Sequence, residues 1–266
     1  MEKVAPLKRF GQNYLKDHNI LKKIISEIKP AEGDLIVEIG PGTGALTSKL
    51  IESKAEIYAV EIDNRVKEAL SERYPSVKFY NEDFLRTDLK KIVARGGRML
   101  RITGNIPYNL TSPIIFKLLE NNDIINDAVF MVQYEVAKRI SADPGSKDYG
   151  ILSVLLHYFA GVKFCFKVSP NVFYPKPRVY SAVIHIFMKN MKINGELKQI
   201  FINVVKASFG KRRKTLKNSL GDSIFKDIDF SLSGIDLTLR AEQLNLNDFE
   251  KLAKYVLDHS HHSSGR

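Results

Sequence analysis

The sequence predicts an α/β domain built on a mostly parallel sheet with helices on both faces, followed by a small all-helical domain. Short apolar runs alternate with helical patterns through most of the chain, and a glycine-rich turn follows the first of these runs. Beyond residue 195 the apolar residues recur at helical spacing, with no strand-like run. We therefore predict a sheet domain over residues 1–190, a helical domain over 191–258, and a polar tail over 259–266 that is compatible with an added tag and has no assigned role.

The composition indicates a basic protein of a reducing compartment. The 266 residues include 41 Lys+Arg against 30 Asp+Glu, a formal net charge of +11, which favours a polyanionic partner. The only cysteine, Cys165, excludes a disulfide within the chain. The sequence shows no secretory signal and no apolar stretch long enough to span a bilayer. We expect a cytoplasmic protein without a membrane partner.

The first predicted strand, Leu35–Ile39, is nearly continuous in apolar residues, as in a parallel strand covered on both faces. It leads into the turn Gly40–Gly44, where a ligand can approach the backbone closely. The next predicted strand, Ile57–Ile62, places Glu61 at its carboxyl end, 21 positions after Gly40. An acidic residue at that place can accept hydrogen bonds from both hydroxyls of a ribose.

The third and fourth predicted strands also end in polar residues. After Val77–Tyr80 comes Asp83, which can accept from an adenine amino group, and Phe84, which is expected to pack. After Met99–Thr103 come Asn105, Ile106, Pro107 and Tyr108, where the proline blocks a regular ladder and predicts a rigid loop. An amide, two backbone carbonyls and an aromatic face suit a planar base with an exocyclic amino group.

Three chemistries that use a nucleoside compete for these four strand ends. A P-loop kinase needs a Gly-Lys-Ser/Thr phosphate cradle, and this turn has none. A nicotinamide dehydrogenase shares the glycine-rich turn and the ribose acid but does not explain the amide-proline-tyrosine loop. A methyltransferase that uses S-adenosylmethionine explains all four strand-end features, and it leaves the loop from Asn105 to Tyr108 free to bind the methyl acceptor.

Several motifs closely resemble the ribosomal RNA adenine N6-dimethyltransferase family, and most of all its bacterial kasugamycin-susceptibility branch. The resemblance runs from about Lys8 to near Lys254. The motifs are Phe10-Gly-Gln-Asn-Tyr-Leu15, Glu38-Ile-Gly-Pro-Gly-Thr-Gly-Ala-Leu-Thr47, Glu82-Asp-Phe-Leu85, Gly104-Asn-Ile-Pro-Tyr-Asn109 and Phe173-Tyr-Pro-Lys-Pro-Arg-Val-Tyr-Ser-Ala-Val183.

The resemblance implies a Rossmann-like class I methyltransferase fold that uses S-adenosylmethionine. It also implies dimethylation of two adjacent adenosines in the 3′-terminal hairpin of small-subunit (16S) rRNA during ribosome biogenesis. The expected partner is this rRNA or the immature small subunit, and the protein is expected to act as a monomer. No metal is assigned, since sulfonium methyl transfer does not require one.

The resemblance also assigns the site. The predicted cofactor contacts are Gln12, Asn13, Leu15, Gly40, Gly42, Glu61, Ile62, Asp83, Phe84 and Asn105. The predicted catalytic and target-base residues are Asn105, Ile106, Pro107, Tyr108 and Phe173. The segment from Phe10 to Leu15 is either a lid that touches the ligand or a staple that packs on the domain.

The acceptor chemistry can be argued from the residues alone. An adenine amino nitrogen is a poor nucleophile, and no strong base is placed to activate it. If the Asn105 oxygen and the Ile106 carbonyl accept its two hydrogens, the lone pair is localised and held in line for transfer. The adenosine must first leave its stack, and Tyr108 is predicted to replace part of the lost stacking. Taken alone, Phe173 is predicted to pack in the core, but beside Tyr108 the resemblance implies that it supplies the other aromatic face. Tyr174 follows directly, so the sequence leaves open which of the two adjacent aromatics stacks.

A basic cluster follows the first predicted helix of the helical domain. Its members are Lys211, Arg212, Arg213, Lys214 and Lys217. Such a run is usually a solvated helix face, but in a protein of charge +11 we expect phosphate contacts. The family carries the same Arg-Arg-Lys-Thr signature, which implies RNA recognition by this domain.

Three functions remain open from the sequence. The first is the small-subunit rRNA dimethyltransferase. The second is a large-subunit adenine methyltransferase of the macrolide-resistance type. The Arg-Arg-Lys-Thr signature in the C-terminal domain argues against this second function. The third is a non-catalytic RNA-binding assembly or transcription factor, against which the intact Glu61 and Asp83 argue.

Overall fold

The structure is a computed structural model that describes Leu7 and residues 12–189, 195–211 and 213–260. The chain divides into two compact units. The first consists of Met1–Ala137 and Gly161–Lys189, and the second of Lys138–Ala160 and Asn190–Arg266. The second unit therefore contains a stretch, 138–160, that the predicted domain division placed with the sheet.

Nine strands and ten helices are described. The strands are β1 Tyr14–Leu15, β2 Leu35–Ile39, β3 Glu56–Val60, β4 Lys78–Tyr80, β5 Leu100–Asn105, β6 Ile125–Gln133, β7 Ala160–Val168, β8 Phe173–Tyr174 and β9 Ser181–Met188. The helices are α1 His18–Ile28, α2 Ala45–Ile51, α3 Asn64–Arg73, α4 Leu89–Gly96, α5 Thr111–Glu120, α6 Tyr134–Ile140, α7 Ile151–Phe159, α8 Gly195–Phe209, α9 Leu216–Gly221 and α10 Leu246–Ser260.

The central sheet has seven strands in the order β4-β3-β2-β5-β6-β9-β7. β2, β3, β4, β5 and β6 pair in parallel, and β9 pairs antiparallel with β6. A separate antiparallel pair joins β1 to β8. The carboxyl ends of β2, β3, β4 and β5 consequently meet at one edge, which is where ligands bind in open α/β sheets.

The fourth strand is longer than its sequence predicts. β5 extends to Asn105, because the register pairs Asn105 with Met131 of β6 and the Ile106 N–H donates to the Met131 carbonyl at 3.0 Å. Pro107 then ends the ladder, and a 3₁₀ turn over Tyr108–Leu110 leads directly into α5. Asn105 is therefore held by the sheet, and only the residues after it form the loop.

A network of buried and half-buried polar side chains ties together the edge of the sheet opposite the carboxyl ends of β2 to β5. The guanidinium of Arg101 donates to both carboxylate oxygens of Asp127 at 2.8 Å and to Asp34 at 2.7 Å. The His185 ring nitrogen Nε2 lies 2.8 Å from Asp127. The Arg101 and His185 hydrogen bonds hold the pKa of the Asp127 carboxyl below its usual value although burial opposes this. The network fixes β5, β6 and β9 relative to one another.

The second unit is helical where it follows residue 195. Phe201, Val204 and Val205 of α8 are buried, and the Tyr158 ring of α7 stacks on Phe201 with centroids 4.0 Å apart. Phe209 of α8 stacks on Phe249 of α10 at 5.9 Å. Aromatic packing against α8 accounts for the grouping of residues 138–160 with this unit.

Candidate active site

One cavity lies at the carboxyl ends of β2, β3, β4 and β5, entirely within the first unit. It brings together all ten predicted cofactor residues and four of the five predicted catalytic residues. These are Gln12, Asn13, Leu15, Gly40, Gly42, Glu61, Ile62, Asp83, Phe84, Asn105, Ile106, Pro107 and Tyr108. Residues from four strand ends that are far apart in sequence thus share one site.

The glycine-rich turn provides close access to the backbone. Gly40 and Gly42 have φ values of 62° and 57°, a region that L side chains rarely adopt. A Cβ at Gly42 would lie 3.0 Å from carbons of the Tyr14 ring, so a side chain there would require that ring to shift. A Cβ at Gly40 would meet nothing within 4 Å, and Gly40 lines the cavity, so a ligand there can approach its backbone.

Glu61 directly follows β3 and is 4% exposed. Its carboxylate accepts from the Asp63 N–H at 2.9 Å and from the Gly42 N–H at 3.5 Å. Burial raises the pKa of Glu61 above its usual value, and the backbone donors oppose that shift. The carboxylate is therefore fixed beside the glycine-rich turn, with lone pairs left for two ribose hydroxyls.

The loop after β4 carries Asp83 and Phe84 and is held by a lysine that sequence reasoning missed. Lys117 Nζ on α5 donates to the carbonyls of Leu85 at 3.0 Å and Thr87 at 2.7 Å. It also stands 5.6 Å from the centroid of the Phe84 ring. No local pattern could have revealed this role, since Lys117 lies 32 positions from Leu85 in a helix with ordinary amphipathic spacing. Burial lowers the pKa of Lys117.

Replacing Lys117 by methionine should loosen this loop and raise the dissociation constant for S-adenosylmethionine about fivefold to tenfold. Two hydrogen bonds from a charged donor are lost, and each is typically worth about 1.5–3 kcal/mol, here reduced by partial exposure. Isothermal titration measures the change. Lys117→Arg keeps a cationic donor and is the control. Unchanged affinity in Lys117→Met would show that the loop does not depend on this lysine.

Glu38 is a second cavity residue to which the sequence assigned no role. It is the one charged residue in the buried strand β2, and Thr47 Oγ1 donates to its carboxylate at 2.6 Å. Burial, and to a lesser extent the neighbouring Glu61, raises the pKa of Glu38 to about 7. The sequence signal that could have identified Glu38 is an acidic residue inside an otherwise apolar strand.

Glu38→Gln should remove part of the pH dependence of stability. Since the Glu38 pKa rises from 4.5 to about 7 on folding, its contribution is fully present below pH 4.5 and lost as the pH rises to about 7. The stability of the glutamine variant relative to wild type should therefore increase by about 2–3 kcal/mol between pH 5 and pH 8. Urea unfolding of the cofactor-free protein at both pH values measures this, and a constant difference would contradict it.

The last residue of β5 presents an oriented amide. Asn105 Nδ2 donates to the Asn13 carbonyl at 2.7 Å, which leaves the Oδ1 atom as the acceptor. The Tyr108 hydroxyl lies 2.8 Å from Ser181 Oγ, and burial raises the pKa of this phenol. The Tyr108 ring is therefore neutral, and the contact of its hydroxyl with Ser181 holds the ring in position.

Phe173 is not among the residues that line the cavity. It is 5% exposed, pairs with Leu15 across the β1–β8 ladder and belongs to the hydrophobic core. Tyr174 is 54% exposed, with Lys16 Nζ 4.1 Å from its ring centroid. The stacking role of Phe173 stays a prediction.

The N-terminal segment combines the two roles that the sequence left as alternatives. Tyr14 and Leu15 form β1 and pack on β8, as a staple would. Gln12, Asn13 and Leu15 nevertheless line the cavity, as a lid would. Residues 8–11 lie outside the described part of the chain.

The described residues of the basic cluster lie in the second unit, in the turn between α8 and α9 and in the first turn of α9. Lys211, Arg213, Lys214 and Lys217 are exposed, and Lys211 forms an ion pair with Asp222. Arg212, also predicted to contact RNA, lies outside the described residues. Besides Lys211, which is ion-paired, the described part of the cluster therefore has three exposed cations, Arg213, Lys214 and Lys217.

Comparisons with known proteins find relatives that match nearly the whole chain. A family model described as ribosomal RNA adenine dimethylase matches residues 6–258. The chain is 45% identical to ribosomal RNA small subunit methyltransferase A of Chlorobium phaeobacteroides, over 94% of each chain. It is 42% identical to the protein of the same name from Francisella tularensis, over 96% of this chain and 98% of that one.

A solved structure shows the same fold. The dimethyladenosine transferase of Plasmodium falciparum superposes with a TM-score of 0.74 and 27% identity, covering 92% of this chain and 97% of that one. The predicted methyltransferase fold and the predicted family are both confirmed. The chain belongs to the ribosomal RNA adenine dimethylase family.

Proposed function

We propose that the protein dimethylates N6 of two adjacent adenosines in the 3′-terminal hairpin of small-subunit (16S) rRNA during ribosome biogenesis. Family membership confirms the predicted class of enzyme and its cofactor, S-adenosylmethionine. The observation that carries the proposal is the shared cavity, in which Asn105 and Tyr108 lie beside Glu61, Asp83 and the glycine-rich turn.

The cofactor half of the cavity fits a nucleoside. Glu61 would hold the ribose hydroxyls, Asp83 would accept from the adenine amino group, and Phe84 would pack against the ring. The open backbone at Gly40 would admit the remainder of the molecule. When bound, S-adenosylmethionine supplies a methyl group activated by its positively charged sulfur.

The acceptor half of the cavity positions an amino group. Asn105 Oδ1, oriented by the bond from Nδ2 to Asn13, would accept one amino hydrogen, and the Ile106 carbonyl would accept the other. The nitrogen lone pair is then localised and directed for in-line attack, so positioning replaces a general base. The proton can leave after transfer, once the nitrogen is cationic. The buried apolar side chain of Ile106 is compatible with the methylated amine of the second round.

Relatives and residues together favour this function over its alternatives. Relatives of 42–45% identity over nearly the full chain are named for the small ribosomal subunit, which disfavours the macrolide-resistance type. A non-catalytic assembly factor would not need Glu61, Asp83 and Asn105 in one cavity, although an additional assembly role is compatible with them.

The remaining proposals concern the oligomeric state, the form of the substrate and the location in the cell. We propose that the enzyme acts as a monomer, on the immature small subunit, in the cytoplasm. The described residues include no helix that combines the length and the apolar character needed to cross a bilayer.

Exposed cations of the basic cluster should contact RNA phosphates. Replacing Arg213 and Lys214 by alanine should weaken RNA binding and lower the slope of log K against log salt by about 1.4–1.8, since each lost contact removes about 0.7–0.9. Filter binding at several salt concentrations measures the slope. An unchanged slope would show that the cluster is only a solvated surface.

Methyl transfer to separated subunits tests the function itself. Undermethylated small and large subunits are incubated in parallel with labelled S-adenosylmethionine, and the nucleosides are analysed. Dimethyladenosine in the small subunit alone supports the proposal. Label in the large subunit would favour the resistance-type enzyme, and no label in either, with cofactor still bound, would favour an assembly factor.

A further inference from the structure

The loop of residues 174–180, here called the tyrosine loop, begins and ends beside the cavity. Phe173, just before it, pairs with Leu15, which lines the cavity. Ser181, just after it, bonds with the Tyr108 hydroxyl at 2.8 Å, and Tyr108 also lines the cavity. Both ends of the loop are therefore one residue away from a contact with the cavity wall.

The tyrosine loop exposes two aromatic rings and two cations. Tyr174 is 54% exposed and Tyr180 is 48% exposed. Lys176 and Arg178 between them are exposed, and neither forms a salt bridge with any other described residue. Two prolines in the loop restrict its backbone, so the four side chains are presented at little cost in conformational entropy.

A lysine from a neighbouring segment lies against each tyrosine. Lys16 Nζ is 4.1 Å from the Tyr174 centroid, and Lys167 Nζ is 3.9 Å from the Tyr180 centroid. Lys167 is also 4.6 Å from the ring of Tyr134, whose N–H donates to the Tyr180 carbonyl at 2.9 Å. These contacts place a positive charge beside exposed aromatic surface at both ends of the loop.

We propose that the tyrosine loop binds the single-stranded RNA on either side of the reacting adenosine. Bases would stack on Tyr174 and Tyr180, and phosphates would contact the cations around them. Those cations are Lys16, Lys167, Lys176 and Arg178. This inference rests on the proposed function, because a nucleotide taken out of its stack exposes its neighbours. Aromatic rings interleaved with cations, and no acid within the loop, are the features of a single-strand binding surface.

Removing the two loop cations tests the phosphate contacts. Lys176→Gln/Arg178→Gln should weaken binding of the 3′-terminal hairpin RNA and lower the salt slope by about 1.4, because each single-strand contact contributes about 0.7. Lys29→Gln/Lys54→Gln is the matched control. These two lysines lie just after α1 and α2, near the amino ends of β2 and β3, so the control removes the same net charge from the opposite edge of the sheet. Equal effects of the two variants would overturn the inference.

Stacking is tested at Tyr180. The hairpin carries 2-aminopurine next to the adjacent adenosines, and its fluorescence should be quenched on binding to wild type. Tyr180→Ala should relieve the quenching and weaken binding about tenfold, whereas Tyr180→Phe keeps the ring and should retain both. Affinity for S-adenosylmethionine should be unchanged in each variant, which shows that the fold is intact.

The binding assay needs no turnover, so its outcome is separate from that of the methylation assay. If wild type fails to methylate small subunits, the proposed function fails while the salt slope and the quenching still report on the loop. If wild type methylates them but the loop variants bind and react as wild type does, the inference is overturned and the proposed function stands.

Discussion

Asn105→Ala should reduce kcat for methyl transfer about a thousandfold or more, while affinity for S-adenosylmethionine falls only a few fold. The amide oxygen is the side-chain acceptor available to hold the target amino group, and removing a preorganised group of this kind typically costs about 10²–10³ in kcat. The Ile106 carbonyl alone still holds the amine in this variant, so the nitrogen lone pair is no longer directed at the methyl group. Single-turnover transfer and isothermal titration of the cofactor, on the same preparation, separate the two quantities.

A second variant identifies which atom of the amide matters. Asn105→Asp replaces the single amide acceptor oxygen by two carboxylate oxygens but loses the Nδ2 donor to the Asn13 carbonyl, so its carboxylate is no longer oriented by that bond. We expect intermediate activity from it. If Asn105→Ala instead weakened cofactor binding as much as it slowed transfer, the amide would belong to the cofactor half of the cavity and the acceptor role would be wrong.

Glu61→Ala should raise the dissociation constant for S-adenosylmethionine about a hundredfold or more. Two hydrogen bonds to a buried carboxylate are lost, and hydrogen bonds to charged groups are worth about 1.5–3 kcal/mol each. S-adenosylhomocysteine carries the same ribose, so its affinity should fall by the same factor. At saturating cofactor, transfer should recover most of its rate.

The control for Glu61 must account for its structural bonds to the Asp63 and Gly42 N–H groups. Glu61→Gln retains one acceptor oxygen and should lie between wild type and the alanine variant in affinity. Thermal unfolding of each variant without ligand reports on the fold. If both ligands bound Glu61→Ala as tightly as wild type, the ribose assignment would be refuted.

Much of the site could be predicted because parallel strands end at one edge. Gly40, Glu61, Asp83 and Asn105 each follow or end an apolar run, so their meeting follows from the fold class alone. The resemblance to a known family then added Gln12, Asn13 and Leu15, which no strand-end rule selects.

Features that depend on tertiary packing could not be predicted. The contact of Lys117 with the carbonyls of Leu85 and Thr87 arises only when α5 packs beside that loop. The burial of Phe173 follows from the pairing of β8 with β1, two strands of two residues each, too short for a periodic signal. Residues 138–160 group with the second unit through aromatic contacts such as that of Tyr158 with Phe201.

The most direct test of the account is mass spectrometry of the 3′-terminal fragment of small-subunit rRNA after reaction with the wild-type enzyme. The account predicts four added methyl groups on one fragment, two on each of two adjacent adenosines, and no detectable addition by Asn105→Ala in the same reaction time. Methyl groups that the wild-type enzyme adds at any other nucleotide, or full methylation by Asn105→Ala in that time, would contradict it.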